Sequence, residues 1–216
     1  MLGCTKSTNA TVRNGAVNLF KAVAKGCLDV PNSRRAIEQI LGPCLSGKSN
    51  GPDHRQALYS MLHNIPANPV GSREIVWKLV PFMEKETSEM VLTTLSEVVS
   101  EHLSCLLQDD NETALDPSFT TTIAKNLSSM KSTSRRSMAM MIGQTFWAIS
   151  QSDAIWPPAA NDLFQALQQP LEKLLSETVT MSPTAMTGPV EAWVALTILS
   201  CACQKSTYGK IFPSFT

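Results

Sequence analysis

The sequence predicts an all-α fold of antiparallel helix pairs, and three observations carry that prediction. Apolar residues recur at helical spacing through most of the chain, as in Leu92, Leu95, Val99, Leu103 and Leu106. No stretch of useful length alternates apolar and polar residues in the manner of a strand. Helix-sized segments follow one another across short breaks rich in Gly, Pro, Ser, Asn and Asp.

Composition narrows the function classes. At 216 residues the chain suits one domain or a short array of repeats, and 43% hydrophobic with 17% charged residues excludes a disordered tail. Eighteen basic residues balance eighteen acidic ones, so no global attraction to nucleic acid or to an anionic membrane is implied. The start of the chain lacks the apolar core of a signal peptide. The longest uncharged stretch, 137–152, is too short to span a bilayer and is interrupted by Ser, Gly and Gln. A soluble, cytoplasmic protein with no membrane contact is expected. Cys4, Cys27, Cys44, Cys105, Cys201 and Cys203 show no pair with the spacing of a zinc knuckle or redox motif, so free thiols are expected. The three glycosylation sequons, at Asn9, Asn111 and Asn126, are chance matches without a secretory signal.

The helices follow in order. Thr8 or Asn9 caps a first helix over 11–25, with Val12, Ala16, Leu19, Phe20 and Val23 as its buried face and Gly26 at its end. A second, over 33–45, turns Ile37, Ile40, Leu41 and Cys44 inward. After a loop at 46–53, Asp53 caps a third with Leu58, Met61 and Leu62 inward. Ser72 caps a fourth with Ile75, Val76, Leu79, Val80 and Met83 inward, and Pro81 bends or ends it. The central helix, 88–107, has an apolar arc of roughly 160°, too wide for a single packing partner. A polar loop at 108–116 leads to Asp116-Pro117, a cap followed by a proline at the first helical position. The short helix that follows carries Phe119, Ile123, Ala124 and Leu127. Ser132 or Thr133 caps the next, which runs to about Ser150 with Met138, Met141, Ile142, Thr145, Phe146 and Ile149 inward. Asn161 caps a helix carrying Leu163, Phe164, Leu167, Leu171, Leu174 and Leu175, kinked at Pro170. A Thr/Ser/Met-rich linker at 176–188 precedes a last helix over 189–203.

A repeat runs through these helices. Arg13 is followed by Ala16 and Leu19, Arg55 by Leu58 and Met61, and Arg136 by Ala139 and Ile142. The first two arginines lie 42 positions apart and the last two 81, close to two further periods. A period near 40 with two helices per unit is that of HEAT or armadillo arrays. Residues 1–216 therefore read as one α-solenoid segment of about nine helices, an irregular bundle being the alternative. The pairs fall at about 11–45, 53–85, 88–130 and 133–176, with the last helix at 189–203. The first helix also reads as the second member of a pair, as in a piece of a longer array.

Residues suited to chemistry are scattered. His54, His63 and His102 lie far apart, and His102 reads as a hydrogen-bonded core histidine. No HExxH, glycine-rich phosphate loop or GxSxG occurs, and the acidic residues near Asp109 lack the rest of a calcium loop. No catalytic residue, cofactor, metal or small-molecule substrate is expected. Met138, Met140 and Met141 read as core filling before an adaptable binding surface, and Trp77, Trp147, Trp156 and Trp193 as packing before interface anchors. Lys125, Lys131, Arg135 and Arg136 gather near one inter-helix turn with several serines. Such a turn can meet ribosomal RNA or another acidic partner, and a solvated turn with capping arginines is the plainer reading. Arg34 and Arg35 form a weaker second candidate.

The runs ATVRNGAVNLF at 10–20 and GPVEAWVA at 188–195, with ILGPCL at 40–45, resemble the N-terminal HEAT region of the large translational activators of general amino-acid control. That resemblance implies a non-catalytic scaffold in the cytoplasm, associated with ribosomes and with an initiation-factor kinase that responds to amino-acid starvation. It supplies no partner-contact residue. A HEAT-type transport or assembly adaptor that binds other proteins is the alternative, and a small all-α enzyme with a polar pocket near His102 or His63 comes third.

Overall fold

The computed structural model describes residues 1–27, 30–46, 51–109, 115–129, 132–151 and 157–179. Within them lie a short 3-10 turn, Leu2–Lys6, and eight α-helices: α1 Ala10–Cys27, α2 Val30–Leu45, α3 Pro52–His63, α4 Pro69–Met83, α5 Glu89–Leu107, α6 Pro117–Leu127, α7 Ser132–Ser150 and α8 Pro158–Val179. No strand occurs among the described residues. The last helix expected, over 189–203, lies outside them.

Proline sets most of the helix starts. Its fixed φ and missing N–H suit the first helical turn. Asp116 caps α6 ahead of Pro117, its side chain accepting the Ser118 amide at 2.8 Å. Elsewhere the starts fall earlier than the polar residues suggest. The cap of α4 is Asn68, which accepts the Gly71 amide at 3.0 Å, and Ser72 sits one turn inside, buried. In α3 Gly51 takes the cap position, so Asp53 lies in the first turn. Helix α8 begins at Pro158, three residues before Asn161. Each of these departures has one cause: a residue-proline pair outweighs a nearby Ser, Asp or Asn as the start signal.

The contacts between helices run in two rows. In one, α1 packs on α3, α3 on α5 and α5 on α7. In the other, α2 packs on α4, α4 on α6 and α6 on α8. Consecutive helices join the rows where α2 meets α3, α4 meets α5 and α6 meets α7. The 3-10 turn lies against both α1 and α3, with Thr5 buried and bonded to the Leu2 carbonyl at 2.7 Å.

Helix α5 is the centre. By length and composition it could cross a membrane. However, α3, α4, α7 and α8 surround it and bury 12 of its 19 residues, which makes it a core helix. Its buried serines are satisfied locally or across to α7. Ser96 donates to the Leu92 and Ser137 carbonyls, and Ser100 to Glu97 and Gln144. The inward residues expected on α4 and α7 are all buried.

The exception is α1. Ala16 and Ala24 are buried and Phe20 packs against the core, but Val12, Leu19 and Val23 are exposed. The expected buried face is thus split. One part lies against the core, and the other stays largely in solvent.

Candidate interaction surface

Arg13, Arg55 and Arg136 stand at the N-terminal ends of helices in the first row, and each joins a neighbouring helix. Arg13 of α1 reaches Asp53 of α3 at 2.7 Å while its other amino group donates to the carbonyls of Ser7 and Thr8. Arg55 of α3 grips Glu86, just before α5, through two bonds of 2.8 and 2.9 Å. Arg136 of α7 reaches Glu89 of α5 at 2.6 Å. Every neighbouring pair in the row is therefore tied by an arginine and a carboxylate. Sequence reasoning found the arginines and missed Asp53, Glu86 and Glu89. The available signal was a carboxylate within a few residues of the start of each adjacent helix.

The middle tie is the buried one. Glu86 also accepts the amides of Thr87 and Ser88 at 2.8 and 2.9 Å, closing the start of α5. Burial opposes ionisation of Glu86. The Arg55 guanidinium and the two amides more than offset it and hold the carboxyl below its usual range.

The basic turn is partly spent on structure. Arg135 donates to the Ser129 carbonyl at 2.9 Å, closing the end of α6. Lys125 lies 3.5 Å from Glu84, both exposed. Arg136 belongs to the tie with Glu89. Lys131 lies outside the described residues. On the other candidate turn, Arg34 pairs with Glu38 within α2.

The histidines do not converge on a reaction centre. His102 is buried and shares a 2.9 Å hydrogen bond with Ser72 through Nδ1, while Nε2 has no partner of good geometry. Burial pushes its pKa down to about 4, with the Leu62 carbonyl opposing and the nearby His63 reinforcing the shift. His102 is therefore neutral at pH 7. His63 lies on the surface 3.4 Å from Glu101. Cys44 and Cys105 are free, and burial drives both thiols up, Cys44 to about 12, which keeps them protonated at pH 7. Among the described residues no group of three or more His, Cys, Asp or Glu could hold a metal ion.

Apolar anchors behave unequally. Met138 and Met141 are core, while Met140 is half-buried. Trp77 is half-buried and stacks on Phe119 with ring centres 4.8 Å apart. Trp147 on α7 is 50% exposed, and Met90 on α5 is also exposed. Trp156 and Trp193 lie outside the described residues.

Fold and surface together define a helical domain whose named features are contacts between helices and exposed apolar side chains. Compared with known families, residues 52–212 match the family described as General control nonderepressible 1 (Gcn1) N-terminal, and the chain belongs to that family. The match begins at the first residue of α3 and takes in the run at 188–195, whereas the runs at 10–20 and 40–45 precede it. It makes the domain one of a translational regulator, in a family of regulatory and not known catalytic character. No curated protein and no solved structure matches the chain.

Proposed function

We propose that this chain is a non-catalytic scaffold segment of HEAT or armadillo type within a ribosome-associated regulator. That regulator enables the starvation-responsive initiation-factor kinase in the cytoplasm. The observation that carries the proposal is the pair of helix rows, each helix touching the next-but-one along the chain, in a member of the Gcn1 N-terminal family. Stacked rows give a rigid surface that holds partners at set distances. In this reading the units are the helix pairs at about 11–45, 53–85, 88–130 and 133–176, joined where α2 meets α3, α4 meets α5 and α6 meets α7.

The turn of Lys125, Lys131, Arg135 and Arg136 is the proposed contact with ribosomal RNA or an acidic protein. Lys125 is its cleanest probe, because it is 70% exposed, whereas reversing Arg135 breaks the bond to the Ser129 carbonyl and reversing Arg136 breaks the tie to Glu89. The test is co-sedimentation of the chain with purified ribosomes at low and moderate salt. Binding that falls with salt, and falls further in Lys125→Glu with an unchanged melting temperature, supports the contact. A folded chain that stays in the supernatant at low salt overturns it.

A second reading, an adaptor that binds other proteins, has one feature in its favour. Trp147 is half exposed on α7, and an exposed tryptophan is a common anchor of protein interfaces. Binding that survives high salt but is lost in Trp147→Ala would favour it.

A further inference from the structure

The open side of α5 carries charge of one sign only. Between Glu89 and Leu107 the helix holds Glu89, Glu97 and Glu101 and neither lysine nor arginine. It lies between α3 and α7 with α4 behind, so one strip of it is left to solvent, and Glu97 sits on that strip. Arg136 meets Glu89, and His63 lies 3.4 Å from Glu101. No ion pair reaches Glu97 among the described residues. Glu101 is 43% exposed, and burial holds its carboxyl above the usual range while His63 pulls the other way.

The adjoining side of α7 presents an uncovered aromatic ring. Ser100 donates to the Gln144 side chain at 3.2 Å, and the Thr145 hydroxyl reaches the Ser100 carbonyl at 3.5 Å. With Arg136 on Glu89, these contacts run α5 and α7 parallel and set position 100 beside 144. Glu97 and Glu101 fall within a turn of that contact on α5, and Trp147 within a turn of it on α7. Trp147 is 50% exposed, and among the described residues neither a ring nor a cation covers it. Trp77 on α4 differs. Phe119 stacks on it, and the Arg73 guanidinium lies 5.8 Å from its ring centre.

We infer that the strip between α5 and α7 docks an arginine-bearing segment of another protein, one guanidinium lying on Trp147 beside Glu101 and a second on Glu97. Charge selects this occupant. Carboxylates and an exposed indole face both attract a cation, and the planar guanidinium alone stacks on a ring while its edge bonds a carboxylate. An acidic segment or a nucleic acid would meet Glu97 and Glu101 with like charge. Spacing narrows the choice. Glu97 and Glu101 are separated by four helical steps, about 6 Å. Alternate residues of an extended segment lie about 6.6 Å apart, so the fitting motif is arginine, any residue, arginine. This docking rests on the adaptor reading of Trp147 and uses neither the basic turn nor the ribosome.

The test is fluorescence anisotropy of the 216-residue chain with a short fluorescein-labelled peptide of Gly and Ser carrying Arg-Ser-Arg at its centre. The same peptide with Gln-Ser-Gln is the neutral control. The native chain is expected to bind the arginine peptide at least about tenfold more tightly than the control. Trp147→Ala and Glu97→Gln should each raise the dissociation constant by about threefold to tenfold, with the melting temperature unchanged. Glu38→Gln, on α2 in the other row, should leave binding as it is. Failure to bind the arginine peptide, or binding untouched by both variants, overturns the inference. Equal binding of the two peptides that is lost in Trp147→Ala also overturns it, yet keeps Trp147 as a protein anchor and so spares the adaptor reading.

Discussion

Helices α1 and α5 belong to the same row, have nearly equal lengths of 18 and 19 residues, and both carry an apolar face at helical spacing. Their surroundings differ completely. Four helices enclose α5, and its leucines are buried on every side that the pattern marks as apolar. Helix α1 meets α3 and the 3-10 turn, and half of its apolar surface is in water. The contrast shows that an apolar stripe specifies a face to be covered and not the element that covers it. The same amino-acid type therefore carries different weight in the two helices.

The largest effect expected from that difference concerns leucine truncation. Leu103→Ala should destabilise the chain by about 2–5 kcal/mol, since it opens a cavity under full burial. Leu19→Ala should change the stability of the monomer by no more than about 0.5 kcal/mol. Urea titration at low protein concentration measures both, and equal losses would erase the distinction between edge and centre.

Next come the ties at the helix starts. Glu86→Gln removes one partner of a pair that is mostly out of water, and a loss of about 3 kcal/mol is expected. Asp53→Asn removes a partner that is 55% exposed, and at most about 1 kcal/mol should be lost. Comparable losses at the two sites would mean that burial does not grade the ties.

The third contrast is within α5 and concerns pH. His102 binds a proton near pH 4 when folded and near its usual 6.5 when unfolded, so between those values the unfolded chain holds more protons. Stability should fall as pH drops through this window, by up to about 3 kcal/mol. Glu86 adds a further loss only below its usual value of 4.5, because its folded pKa is lowered and its stabilising charge disappears as pH falls through it. Comparing the native chain with His102→Gln at pH 7 and pH 4.5 isolates the histidine. An identical acid loss in both would remove His102 as its cause.

Much of the fold is legible in the sequence. The apolar period places the central helix over 88–107, and it occupies Glu89–Leu107. The inward residues of α4 and α7 follow from periodicity alone, because helical geometry fixes which side chains share a face. Arg13, Arg55 and Arg136 are visible as a recurring position, and of the runs that suggest the family only the one at 188–195 lies within the family match. Helix starts were less legible where Asn68, Gly51 and Pro157 precede a proline, since two start signals competed and the proline prevailed.

By itself, then, the sequence determined the helical class, the periodic faces and the arginine register. These are local quantities, set by the backbone period and by the identity of residues a few positions apart. Only the tertiary structure decided which carboxylate each arginine meets, that Ser72 bonds to His102 in place of capping a helix, and that half of α1 stays uncovered. Those outcomes join residues 30 to 47 positions apart. No local pattern encodes such a distance; it is settled by how the helices stack.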